Sequence, residues 1–342
     1  MVGYFVRRLL LIGPTFIGIT LAAFLVMHFV PGGPIERQIM AYKMAMAQEA
    51  GGASIGQFGT EIPPEALEEM RRFYGFDQPV HLRYVTWLWN VLHLDLGRSY
   101  TYQEPVWDVI RSRFPISIFL GLTGFILSYL VCVPLGVLKA VHHRSKFDFL
   151  SSFVVFLGYS VPGWALGTVL LVLFGGGTFW NVFPLGGFRP ENWEYLTLFE
   201  KVTSQLEHMF LPVLCYMVGS FATLTILTKN SLMENLGQDY VRTAFAKGLD
   251  EKRVIFVHAL RNSMIPIATG LGHVFSLILA GSFLIERVFN IDGMGYLGYT
   301  SILQRDYPVA LGILVISSVL MLIGNILSDV IYVAIDPRIR FR

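Results

Sequence analysis

The 342-residue chain is 54% hydrophobic and only 15% charged, with a mean hydropathy of +0.57. A soluble globular domain carries about 25% charged residues, so the composition excludes a soluble domain, and its apolar excess excludes a disordered chain. The net charge of +2 gives no support to nucleic-acid binding. Cys132 and Cys215, each inside an apolar run, read as small buried hydrophobes rather than a disulfide.

Six stretches contain no Asp, Glu, Lys or Arg: 9–30, 116–138, 149–175, 209–228, 264–285 and 309–328. A bilayer core about 30 Å thick needs roughly 20 helical residues, and every stretch is that long. The expectation is an all-α membrane protein with six transmembrane helices. The first stretch exceeds a signal-peptide core of about 7–15 residues and ends in Pro31-Gly32-Gly33-Pro34, so it reads as a retained anchor. Residues 31–115 follow, with 8 basic and 10 acidic residues. Tyr84, Val85, Trp87, Leu88, Val91 and Leu92 form an amphipathic pattern there, which predicts short helices packed on an outer mouth. Residues 45–60, rich in Gly and Ala, read as a flexible excursion.

Lys and Arg set the orientation. The N-terminus, residues 139–148, residues 229–263 and the tail from 336 together hold 14, whereas the short loops 176–208 and 286–308 hold 4. By the positive-inside rule both termini are cytoplasmic and 31–115 faces outward. His142 and His143 read as part of a basic cytoplasmic anchor, since adjacent residues do not share a helix face to hold a metal.

Toward the middle of the stretches, ionisable groups are scarce: His273, with Asp329 near the end of the last helix and Lys229 at a boundary, where its stem can snorkel. Asn325 and Asp329 lie four apart on one helical face, suited to helix-to-helix bonding. A proton- or sodium-driven carrier needs more buried charge, and a membrane-embedded enzyme needs a convergent catalytic set that the chain does not offer. There is no phosphate-binding loop either. Energy is therefore expected from outside the chain, with no cofactor bound by it.

The loop 229–263 is the most informative segment. Val241, Ala244, Phe245 and Gly248 recur at helical spacing, Gly248 suits a left-handed position after a helix, and Asp250 can cap the next helix. A solvated connector has little reason to carry Val241, Phe245, Leu249 and Ile255. The pattern predicts a short helix, a turn and a second helix, with Ala244, Ala246 and Gly248 allowing close approach of another protein.

Tyr240-Val241-Arg242-Thr243-Ala244-Phe245-Ala246-Lys247-Gly248, then Leu249, His258-Ala-Leu-Arg-Asn262 and Ile265-Pro266 resemble the "EAA" loop of bacterial ATP-binding-cassette importer permeases, in the version of the dipeptide and oligopeptide branch. The resemblance runs through Arg7 to Pro14-Thr15, Val30 to Pro34, Tyr74 to Pro79, Leu94 to Ser99, Glu286 to Gly298, Arg305 to Pro308 and Asp336 to Arg338. The wording is most like the importers of microcin C and oligopeptides. Two departures stand out: Arg242-Thr in place of the broad motif's opening Glu-Ala, and Arg261-Asn262 in place of its closing Leu-Pro.

The resemblance implies a type I importer permease fold over 1–342, an extracytoplasmic helical segment at 31–115 and a cytoplasmic coupling loop at 229–263. It implies a bacterial inner membrane protein that works with a second homologous permease, two ATP-binding cassette ATPase domains, an extracytoplasmic peptide-binding protein, membrane lipid and peptide substrate. ATP would be bound by the partner subunits, and residues 240–249 would dock on them. Ser128, Tyr129, Ser160, Asn325 and Ser328 are candidates for the wall of the peptide path; the alternative for each is a side chain bonded to its own helix.

Overall fold

The computed structural model describes residues 2–29, 39–40, 44, 65, 67–69, 77–176, 179–269 and 282–335. In chain order the helices are α1 (Val2–Phe29), α2 (Val80–Leu92), α3 (Val106–Val141), α4 (Lys146–Ser160) and α5 (Gly163–Phe174). They continue with α6 (Leu198–Leu236), α7 (Asp239–Ala246), α8 (Glu251–Arg253), a π turn (Val254–Ala259) and α9 (Leu260–Thr269). Last come α10 (Phe283–Val288), α11 (Met294–Leu303) and α12 (Tyr307–Ile335).

Among the described residues α1, α3, α6 and α12 are long and apolar enough to cross a membrane. With 36 and 39 residues, α3 and α6 run about 54 and 58 Å at 1.5 Å per residue. Each therefore outreaches the bilayer at its ends. The apolar runs 116–138 and 209–228 mark only their central parts, because charge ends the hydropathy signal without ending the helix.

The run 149–175 is not one straight span. It is α4 and α5, bent by 95° at Val161-Pro162. Proline lacks the N–H that a helix needs and forces the preceding residue out of helical geometry; Val161 is extended, with φ −101° and ψ 119°. The run 264–285 enters α9 and leaves through α10, while 270–281, with His273, lie outside the described residues. So do Pro31–Pro34, 45–60, Tyr74–Phe76 and Asp336–Arg338.

The chain divides into two compact units. The first comprises residues 1–11, 113–297 and 319–342. One of its cores joins Leu120, Met209, Leu211, Cys215, Phe289 and Ile291. Another joins Val137 and Ala140 of α3 and Leu232 of α6 to Val241 and Ala244 of α7 and to Val254 and Ala259. Cys132 and Cys215 are both buried free thiols. Asp329 is 5% exposed and pairs with Arg8 Nη1 at 2.7 Å, with the Tyr4 hydroxyl donating at 3.3 Å. That carboxylate ties α12 to α1.

The second unit comprises residues 12–112 and 298–318. The amphipathic face read at 84–92 is realised in part by α2, whose Tyr84, Trp87 and Leu88 pack with Phe24 and Leu311 and whose Val91 is buried, whereas Val85 and Leu92 are exposed. The Tyr84 hydroxyl lies 3.1 Å from Thr20 Oγ1 and donates to Ile17 O at 3.2 Å, which satisfies two buried polar groups at once.

Candidate functional site

The segment expected to couple, 229–263, opens inside α6, which continues to Leu236, and α7 follows. The eight residues of α7 are too few for a helix that is stable in isolation, so tertiary contacts hold it. Val241 and Ala244, three apart, are 1% and 7% exposed and insert into the core formed with Val137, Ala140 and Leu232. Every other residue of α7 is exposed, including Tyr240, Arg242, Thr243, Phe245 and Ala246, as are Lys247 and Gly248 beyond it. Phe245 leaves nearly half its surface open to solvent.

The helix is closed by Gly248 in the left-handed region at φ +76°, a conformation in which a side chain costs about 1–2 kcal/mol. Gly248 N donates to Phe245 O at 2.9 Å and Leu249 N to Ala244 O at 3.3 Å, so the last carbonyls are satisfied. Leu249 folds back onto the same core. Asp250 caps the next turn by accepting from Lys252 N at 3.2 Å. The π turn then carries Val254, Ile255 and Ala259 inward, while reciprocal bonds between Ser231 and Ser263 tie α9 to α6. Residues 240–249 thus form one continuous ledge on a packed base.

A second site at the root of this ledge was read only in part from the sequence. Lys229 Nζ donates to both carboxylate oxygens of Asp148 at 2.7 Å, so it is ion-paired rather than snorkelling. Lys139, 1% exposed, lies 3.3 Å from the same carboxylate, and His143 Nδ1 lies 3.5 Å from it. Asp148 and Lys229 directly flank the apolar runs 149–175 and 209–228, which is the signal that could have suggested the pairing.

In the other unit, two sequence segments about 200 residues apart meet. Asp306 is fully buried and accepts from Ser99 Oγ at 2.5 Å, Tyr100 N at 3.0 Å and Thr101 N at 3.1 Å. It holds the loop after Leu96 against the start of α12. Beside this junction opens a cavity of about 500 Å³, whose walls include His28, Arg83, Trp87, Arg98 and Tyr307. Arg83 Nη1 lies 3.1 Å from His28 Nδ1.

The candidate path residues differ in what their polar groups bond. Ser128 is buried and donates to Gly124 O at 2.7 Å, and Ser160 donates to Phe156 O at 2.8 Å; both hydroxyls serve their own helices. The Tyr129 hydroxyl reaches across to Ile267 O at 3.1 Å, a helix-to-helix bond. Asn325 and Ser328 are half-buried on α12.

Long apolar helices, with one bent pair and a short amphipathic helix mounted on their packed ends, define a multi-pass membrane protein. The family described as binding-protein-dependent transport system inner membrane component matches residues 132–341, more than half of the chain, and the chain belongs to that family. Its fold is that of the type I ATP-binding-cassette importer permeases.

The chain is 39% identical to the peptidoglycan transport system permease protein YejB of Agrobacterium fabrum, with 100% of this chain and 99% of that one covered. It is 33% identical to the oligopeptide transport system permease protein AppB of Bacillus subtilis and 34% identical to the dipeptide transport system permease protein DppB of Escherichia coli, with 100% of each chain covered.

Proposed function

We propose that this chain is one of two homologous permease subunits of an ATP-driven peptide importer of the bacterial inner membrane. An extracytoplasmic binding protein delivers an oligopeptide, microcin C-like peptides included, to a path between the permeases. The chain is not itself catalytic. Two partner ATPase domains bind and hydrolyse ATP, and residues 240–249 dock on them. Both termini and 229–263 are cytoplasmic, and 31–115 faces outward. The names of the similar permeases, which all describe transport systems for peptides or peptidoglycan, support the substrate class.

The observation that carries the reading is the division of α7. Val241 and Ala244 anchor it, and the remaining side chains face solvent together with Gly248. A helix of eight residues with two aromatics, Tyr240 and Phe245, one cation, Arg242, and the small Ala246 on its open side, followed by Lys247, suits docking in a groove on another protein. Closure of the ATPase pair would displace the ledge as a body and bias the bundle between inward- and outward-open states.

The test is Gly248→Trp in proteoliposomes that carry the full complex. Nothing lies within 4 Å of a Cβ built at Gly248, so the substitution meets no clash within the chain; the left-handed backbone costs it about 1–2 kcal/mol, too little to unfold the bundle, and the added bulk meets the partner. Peptide uptake and substrate-stimulated ATP hydrolysis are expected to fall to background while the subunits still insert and pair. Normal uptake with normal stimulation would overturn the assignment. Orientation is read by thiol labelling: Tyr102→Cys should react in intact cells, and Lys252→Cys only after permeabilisation.

A further inference from the structure

Coupling requires that movement of the ledge reach the membrane helices, and the contacts at its root show a route. Leu232 of α6 is fully buried in the core that seats Val241 and Ala244. Lys229 lies three residues earlier on the same helix, one turn closer to the membrane. Its ammonium grips both oxygens of Asp148, in the first turn of α4, at 2.7 Å. The side chains of Lys229 and Asp148 are 16% and 9% exposed, so water screens the pair little.

The neighbouring lysine has a different role. Lys139 Nζ donates to Asp148 O at 3.0 Å, Ser151 Oγ at 2.9 Å and Ser152 Oγ at 2.7 Å, besides its approach to the carboxylate. It is thereby held by neutral oxygens of α4. The two bonds of Lys229 both go to the carboxylate. Meanwhile α3 and α6 are locked by direct backbone approach, because a Cβ at Gly136 would meet Thr228 Cβ at 2.6 Å and Thr225 O at 2.7 Å. Two tightly packed helices seat the ledge, and a charged clamp joins one of them to the helix that leads to the 95° bend. A buried ion pair adds little stability over an apolar contact of equal volume, but it fixes direction and length.

We propose that the Lys229–Asp148 pair is a strut that carries displacement of the coupling ledge from α6 into α4 and the bent α4–α5 segment, with Lys229 as a positioning residue for transport. This rests on the coupling reading given above. The strut predicts that breaking it separates ATP hydrolysis from peptide movement.

The experiment is Lys229→Met in the full complex in proteoliposomes, with uptake of a radiolabelled tri-alanine peptide and ATP hydrolysis measured together. This variant leaves Lys139 and Asp148 as a neutral pair, so no uncompensated buried charge is created. Assembly and basal hydrolysis are expected to persist, while peptide moved per ATP falls about 10-fold, within the span of coupling energies between protein sites. Lys229→Arg, which can grip the same carboxylate, should restore the ratio. A purely structural pair would lower uptake only in proportion to lost complex; an unchanged ratio of uptake to hydrolysis overturns the strut.

Should Lys229→Met fail to accumulate, Asp148→Glu keeps every charge and lengthens the clamp by one methylene. A ratio below that of the wild type then supports the strut, and a wild-type ratio overturns it. Normal transport by Gly248→Trp would remove the coupling reading itself, a result distinguishable from failure of the strut.

Discussion

The ledge at 240–249 and the junction at Asp306 are anchored by different chemistry. In the ledge, a helix of eight residues is held by two apolar side chains, Val241 and Ala244, that sink into a shared core. In the junction, the backbone at Tyr100 and Thr101 is held by one buried carboxylate, Asp306, through directed hydrogen bonds. Apolar contact is non-directional and tolerates small slides, which suits a surface that must move with a partner. Hydrogen bonds to a carboxylate fix position and angle, which suits a surface that must be preset. On the proposed function, the junction would serve as a preset surface and the ledge as a moving one.

The strongest way to break this contrast is Asp306→Ala. It leaves the Ser99 hydroxyl and Tyr100 N without their acceptor and Thr101 N with Ser99 Oγ alone. A buried donor left unpaired costs about 1–3 kcal/mol, so the loop should come loose as a unit. Limited proteolysis near Arg98 and Tyr102 should accelerate markedly, and cross-links from these positions to the binding protein should be lost. A loop as protected as in the wild type would show that Asp306 does not anchor it. Asp306→Asn, which keeps one acceptor, should lie between the two.

At the ledge the two faces of α7 should separate stability from coupling. Val241→Ala opens a void in a packed core and should lower stability by about 1–3 kcal/mol. Phe245→Ala removes an exposed ring and should alter stability by less than about 0.5 kcal/mol, yet weaken association with the ATPase. Thermal unfolding in detergent and co-purification of the ATPase read the two effects. Equal losses of stability in both variants would remove the distinction between anchor and docking face.

Much of this was legible in the sequence because its causes are local. The helical class follows from apolar runs longer than a bilayer requires, and the ledge follows from the spacing of Val241, Ala244 and Gly248. The bend within 149–175 is encoded by Pro162, but a reading based on absent charge does not see a backbone break. The pairing of Lys229 with Asp148 joins residues 81 apart, and Ser99 with Asp306 joins residues 207 apart. No periodicity reports contacts of that kind; each had only a boundary position or a short motif to mark it. The candidate path residues were chosen for hydroxyls and amides, and Ser128 and Ser160 show why that criterion is weak: a serine in a helix finds its acceptor one turn back.

The smallest expected effect concerns Glu286, a buried carboxylate outside both anchors that tests whether burial or hydrogen bonding governs such groups here. It is fully buried and accepts from Tyr296 N at 2.6 Å and from Gly295 N, in the first turn of α11. Burial pushes its carboxyl above the usual carboxylate range, and the two N–H groups offset this only in part. The native state therefore holds this proton to higher pH than the unfolded chain does. Stability from this group is complete below the unfolded carboxylate range, near pH 4, and is lost as pH rises through the elevated native value. Glu286→Gln keeps an acceptor oxygen for Tyr296 N and cannot ionise. Its melting temperature should lack the decline that Glu286 adds as pH rises above about 4, so the variant should gain on the wild type as pH rises. Parallel pH profiles for the two proteins would mean that the α11 N–H groups, and not burial, set the ionisation of Glu286, as charge-assisted bonds set the outer junction.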